Sequence, residues 1–225
     1  GDRASSPVEP HAESVTATMI PGLPRLGSSR HDRAMTEAAA VRASAVRDTL
    51  DFLDVFQPGL RAAVLERVPA PSRDVLETTP RSGWIEVVHD HYTVDAMVSL
   101  LGRKRAIQCW SDALATLVER PLLRAFVAGM TGLVGNDPIR VLGILAKGWS
   151  LVYRDCCEPT VTTDAEGRAV VRFAKIAPEV RRYRHYLDSW EGACRGFARI
   201  TRLEGEVLFR VAEDLSSAEA TFGMR

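Results

Sequence analysis

From Thr36 onward, apolar residues recur at helical spacing. Val46, Leu50, Leu53 and Phe56 fall on one face, so a helix is expected to start near Thr36 and Glu37 and to end at Gln57-Pro58-Gly59. Leu60, Val64 and Val68 predict a second short helix from Leu60 to about Val68. Pro69-Ala70-Pro71 reads as a rigid break, followed by one turn from Arg73 to Glu77. Trp84 to Val88 is a short apolar run after Gly83. Thr93 then reads as the cap of a helix carrying Val94, Met97, Val98 and Leu101, interrupted by Gly102. The next helix carries Ile107, Trp110, Leu114 and Leu117 and stops before Pro121, and a further apolar helix covers Leu122 to Val134. Asp137-Pro138 is a strong start signal, because Asp caps and Pro suits the first helical position. That helix carries Ile139, Leu142, Leu145, Trp149 and Tyr153.

The period then changes from helical to alternating. Thr160 to Thr163 reads as a strand, Asp164 to Gly167 as a hairpin turn, and Arg168 to Ile176 as the returning strand with Ala169, Val171 and Phe173 on one face. Pro178 opens what reads as the longest helix. Its stripe is Val180, Tyr183, Leu187, Trp190, Cys194 and Phe197. Glu204-Gly205 leads into a strand with Val207, Phe209 and Val211, and a last strand holds Ala218, Ala220 and Phe222. The order is helices, then β-β-α-β-β. It predicts an α+β fold in which an N-terminal helical layer packs on a four-stranded antiparallel sheet. Residues 1–35 lack this periodicity and are rich in Ser, Pro, Gly, Arg and His, so a flexible tail is expected ahead of one domain over 36–225. Met19 and Met35 are candidate natural starts.

Composition narrows the classes of function. Formal net charge is +0 over 225 residues, whereas nucleic-acid binding rests on an excess of Lys and Arg that displaces counterions. No nucleic-acid partner is expected. No run of about 18 apolar residues occurs, so no membrane-spanning helix is expected. The chain does not open with a basic region followed by an apolar one. With four cysteines in no scaffold-like spacing, reduced thiols and a cytoplasmic location are the expectation.

Candidate chemistry is sparse. His89 and His91 flank Asp90, and on a strand they would share a face and could offer two metal ligands; a polar loop before a capped helix is the simpler reading. Cys156-Cys157 could be a reactive or lipidated pair, against ordinary small residues at a helix end. Cys194 lies on an apolar seam and reads as a buried thiol. Arg195, Arg199 and Arg202 share a helix face that could meet an anionic partner, against a simple solvated face, and Glu191 stands one turn before Arg195. Trp110, Trp149, Tyr153, Trp190, Cys194 and Phe197 lie on apolar faces and are the candidate lining of a ligand pocket. No nucleophile elbow, P-loop, dinucleotide fingerprint or zinc-protease motif occurs, so no catalytic residues are assigned and no cofactor is expected.

The run Gly135-Asn136-Asp137-Pro138, the helix to Trp149 and Tyr153, the hairpin 160–176, and Tyr186-Leu187-Asp188-Ser189-Trp190-Glu191-Gly192-Ala193 resemble a myxobacterial paralogous family over about 40–225. That family in turn resembles the 4-vinyl reductase domain, the haem nitric-oxide-binding domain and the TRAPP-type tethering subunits. The resemblance implies a helical layer on a four-stranded sheet with an apolar pocket between them. Its implied role is a non-catalytic ligand-binding or scaffold module, taking a hydrophobic small molecule or a protein partner, with a homodimer expected. An enzyme related to vinyl reductases and a purely structural dimerisation protein are the alternatives. Several family hallmarks are absent. Ser216 and Ala220 stand where the vinyl-reductase pattern has its metal-binding cysteines. Asp137 to Tyr153 contains no His to ligate haem, and Cys109 is the nearest counterpart of the acylated cysteine of the tethering subunits.

Overall fold

The computed structural model describes residues 38–119, 137–201, 203 and 205–223, all within the unit Glu37–Arg225. The chain enters on a short strand, β1 (Ala40–Arg42), and turns directly into α1 (Ala43–Phe56). There follow α2 (Leu60–Arg67), α3 (Ala70–Thr78), β2 (Trp84–Glu86), α4 (Val87–Leu101) and α5 (Arg103–Glu119). After residue 136 come α6 (Pro138–Val152), β3 (Tyr153–Arg154), β4 (Glu158–Thr163) and β5 (Ala169–Ala174). The last elements are α7 (Pro178–Arg181), α8 (Arg184–Thr201), β6 (Val207–Val211) and β7 (Ala218–Phe222). The predicted α+β architecture is present, with a four-stranded antiparallel sheet in the C-terminal half in the order β4-β5-β7-β6.

Register places the apolar alternates of that sheet on one face. Phe173 lies opposite Ala218, Val171 opposite Ala220, and Phe209 opposite Ala220 on the other side. On the outer face Arg172 lies opposite Glu219 and pairs with it at 2.7 Å. Helix α6 covers the β4–β5 half and α8 touches the β6–β7 half. The turn residues read in the sequence act as expected. Gly167 takes a left-handed conformation at the β4–β5 turn, and Asp137 accepts a hydrogen bond from the Ile139 amide at 3.0 Å to cap α6.

Four local expectations are corrected. Ala40–Arg42 is a strand and not part of a helix, because β1 is the middle of a second, three-stranded antiparallel sheet, β2-β1-β3. Pairing on both edges outweighs the helical preference of an alanine-rich stretch. Arg42 fastens this sheet by donating to the Ser82 and Leu151 carbonyls and lying 3.8 Å over the Trp84 ring. Pro69-Ala70-Pro71 does not break the chain but begins α3, where the fixed proline φ suits the first turn. Helix α4 starts at Val87, six residues before Thr93, and the Thr93 side chain is buried inside it. The helix opened by Pro178 is interrupted at Arg182 and Tyr183, so α7 is a single turn and α8 a separate helix. The expected helix over Leu122 to Val134 lies outside the described residues, as does the tail over 1–35.

Helices α5 and α8 pack at backbone distance. A Cβ on Gly192 would sit 2.6 Å from Trp110 Cβ and 2.9 Å from the Ile107 carbonyl oxygen. One on Gly196 would lie 2.8 Å from the Ser111 carbonyl oxygen and 3.0 Å from Leu114 Cβ. Both glycines are therefore required by close backbone approach, whereas the helical Gly143 faces open space. Gly196→Ala is expected to destabilise the protein by about 1–3 kcal/mol through overpacking against backbone. Gly143→Ala is expected to stabilise it by about 0.5–1 kcal/mol through helix propensity. Urea unfolding of the two variants beside the parent chain measures both.

Candidate functional site

The candidate site is the interior between the N-terminal end of α4, β3 and α8. Trp149, the last buried residue of α6, stacks on Tyr153 with ring centroids 4.5 Å apart and meets Trp190 edge-on at 5.3 Å. Phe173 of the sheet closes the group at 4.7 Å from Trp149 and 5.5 Å from Trp190. Three of the six pocket candidates, Trp149, Tyr153 and Trp190, are thus brought together, and they pack on one another. Cys194 is fully buried on the same helix, Phe197 is half-buried, and Trp110 sits on α5, where its Cβ abuts Gly192. These aromatics belong to the core first, and their edges border a set of buried polar atoms. Trp190 Nε1 is buried and finds no acceptor among the described residues. Trp149 Nε1 reaches no strong acceptor either and faces the Cys157 thiol, a weak one.

Beside this group stands Asp90. It lies on the apolar stripe of α4 with Val87, Val94 and Met97, and it is 7% exposed. The Tyr186 hydroxyl donates to its Oδ2 at 2.8 Å. Among the described residues no lysine or arginine forms an ion pair with it. Burial raises its pKa to about 6, and the Tyr186 bond offsets only part of that. The surrounding groups are also held neutral. Burial pushes the Tyr153 and Tyr186 hydroxyls and the Cys156 thiol upward, and the nearness of Asp90 adds to each shift.

The thiols are poor nucleophiles for the same reason. Cys109 and Cys157 are each pushed up to about 12, first by burial, and Cys194 is raised by burial too. Cys156 donates to the Ala40 carbonyl at 3.5 Å, joining β1 to the segment after β3.

His89 and His91 do not share a face. They are on a helix and not a strand, and two residues along a helix span about 200°. His89 hydrogen-bonds to Ser72 Oγ on α3 at 3.1 Å, while His91 is buried and stacked on Tyr183 at 3.6 Å. Burial lowers the His91 pKa, and its Nδ1 lies beside the Val87 and Val88 carbonyls without hydrogen-bond geometry. Among the described residues no group of three or more His, Cys, Asp or Glu is placed to hold a metal ion. No described helix is long and apolar enough to cross a membrane.

The arginines proposed to meet an anionic partner already have intramolecular ones. Arg195 donates to Glu191 Oε1 at 2.7 Å, the pairing expected from their spacing, and Arg199 pairs with Asp112 of α5. Arg202 lies outside the described residues. Sequence reasoning missed the other half of this network. Asp188 and Glu191 are both buried on α8, and Arg103 at the start of α5 spans them, donating from Nε to Asp188 at 2.9 Å and from Nη2 to Glu191 at 2.8 Å. His185 Nδ1 takes the second Asp188 oxygen at 3.0 Å. The signal was present as two carboxylates flanking seam residue Trp190 beside the Gly192/Gly196 pair. Asp90 was missed because α4 was started at Thr93; carried back to Val87, its apolar stripe runs through Asp90.

No protein-family model, curated protein or solved structure matches this chain.

Two consequences can be measured. Between pH 3.8 and about 6 the folded protein holds an Asp90 proton that the unfolded chain has released. Its contribution to stability is therefore complete below pH 3.8 and is lost as pH rises to about 6. Asp90→Asn is expected to shrink the fall in stability between pH 4 and pH 7 by up to about 3 kcal/mol, read by denaturant titration at each pH. Arg103→Ala leaves two buried carboxylates without their shared cation and is expected to cost about 2–4 kcal/mol. Arg103→Lys is expected to recover only part, because one ammonium cannot reproduce the two-pronged geometry. Thermal unfolding of both variants checks this pair.

Proposed function

We propose that this chain is a binding module for a hydrophobic small molecule, seated at the edge of the Trp149–Tyr153–Trp190 group. One observation carries the reading: an aromatic group between two helices and the sheet contains a buried indole N–H, Trp190 Nε1, with no acceptor among the described residues. Buried donors in folded proteins are nearly always partnered, and an unpartnered one beside apolar rings suits a ligand that brings an acceptor. The raised thiol pKa values favour binding over covalent chemistry at this place. The resemblance to vinyl-reductase, haem-binding and tethering domains is compatible with this reading, since it implies a module that binds a hydrophobic small molecule, haem or an acyl chain or acts as a dimerising scaffold. A dimerising scaffold gains less support. Among the described residues the exposed large apolar side chains Val55, Val88, Leu151 and Leu208 sit on four different elements, and single exposed apolar residues are ordinary.

Native mass spectrometry of the purified chain is expected to show a retained mass released on denaturation. Titration with 1-octanol is expected to shift tryptophan emission in the parent chain and to shift it less in Trp190→Phe. A bare protein whose emission octanol does not move would remove this reading.

A further inference from the structure

We propose that the solvent-facing groove between α5 and α8 is a docking surface for an acidic segment of another protein. It is separate from the aromatic interior and does not rest on the hydrophobic-ligand reading. The two helices run parallel: Arg103 meets Asp188, Trp110 meets Gly192 and Leu114 meets Gly196, so residue numbers rise together along both. Between Arg103 and Asp112 on α5, and between Arg184 and Arg199 on α8, the carboxylates are Asp112, Asp188 and Glu191 alone. These lie low in the groove, with side chains 26%, 3% and 6% exposed. The arginines they hold stand above them: Arg103 is 52% exposed, Arg195 41% and Arg199 53%. Acid therefore forms the floor, and cationic heads form the rim.

The floor orients these arginines without exhausting them. A guanidinium has five N–H donors. Arg103 uses Nε and Nη2, Arg195 the same two groups, and Arg199 only Nη1. Each keeps N–H groups that no described residue accepts, on a side chain whose freedom is already restricted, so a second carboxylate is met at low entropic cost. Two further cations stand at one end. Lys104 follows Arg103, and Arg184 opens α8 four positions before Asp188; both are exposed, and neither pairs with a described residue. The first turn of neither helix holds an acid, and the aligned peptide dipoles add positive potential at that end. From Arg184 to Arg199 the row is about 20 Å long, the reach of about six residues of extended peptide. An acidic peptide fits this row better than other polyanions. A lipid surface is met by cations beside exposed apolar side chains, and among the described residues the large ones, Val55, Val88, Leu151 and Leu208, lie on other elements. A nucleic acid needs an uncompensated basic excess, whereas Arg103, Arg195 and Arg199 sit over carboxylates.

Fluorescein-labelled octaglutamate, with octalysine as its opposite, tests this by anisotropy with the full chain at neutral pH. Octaglutamate is expected to bind and octalysine to stay free, and octaglutamate affinity is expected to fall about fivefold between about 50 and about 300 mM salt. Lys104→Glu combined with Arg184→Glu is expected to weaken octaglutamate about tenfold. Lys104→Gln combined with Arg184→Gln, which adds no charge, is expected to weaken it about threefold and keeps the test open where the reversal disturbs folding. Lys147→Glu combined with Arg210→Glu removes two exposed cations from α6 and β6 and is expected to leave binding within about twofold of the parent. Absence of octaglutamate binding at the lower salt, or an equal effect of the groove and control variants, would overturn the assignment. Tighter capture of phosphatidylserine vesicles or of a single-stranded oligonucleotide, lost in the Lys104 and Arg184 variants, would overturn the acidic-protein partner.

Discussion

The structure depends on the burial of α8 between three neighbours. One side touches the four-stranded sheet, another meets α4, and a third presses on α5 at backbone distance. That last contact exists because Gly192 and Gly196 present no side chain where Trp110, Ile107, Ser111 and Leu114 must fit. Close approach buries Asp188 and Glu191 on the same helix, and the start of α5 delivers Arg103 to both. Steric and electrostatic requirements therefore set one register between the two helices. A slip of one residue would lose the glycine contacts and pull Arg103 away from the two carboxylates it spans.

This frame fixes the interior on the opposite side of α8. Trp190 and Tyr186 project from the same buried stretch, the first into the aromatic group with Trp149, Tyr153 and Phe173, the second onto Asp90. The break between α7 and α8 places Tyr183 against His91. The second, small sheet brings in the rest. β1 holds β2, from which α4 springs with Asp90, and β3, which carries Tyr153. A buried carboxylate with a pKa near 6 works against folding at neutral pH.

Much of the fold was legible from periodicity. The alternation of Ala169, Val171 and Phe173 and of Val207, Phe209 and Val211, with the Asp137-Pro138 start and the glycine turns, marked the C-terminal half because each signal is local. The stripe through Leu187, Trp190 and Cys194 named the buried face of α8 for the same reason. The candidate site was legible only in part. Trp149, Tyr153 and Trp190 were singled out as apolar-face residues and do meet, but nothing local shows that Asp90 joins them. His89 and His91 were weighed on a strand, where positions two apart share a face, yet the chain is helical there and sends the two rings to different neighbours. The Glu191–Arg195 pair was legible from its spacing, whereas Arg199 looked solvated because its partner Asp112 lies on α5, 87 residues away, and the bond of Arg103 to Asp188 likewise spans 85 residues.

By itself the sequence determined the class of fold, the antiparallel sheet and the faces that must be buried, since these follow from side-chain spacing along one segment. Only tertiary structure decided that Ala40–Arg42 would be a strand, that two glycines would let α5 and α8 meet, and that Asp90 would lie buried and bonded by Tyr186. Those outcomes hinge on which distant segment arrives, and pairing energy between segments outweighs the propensity of either alone.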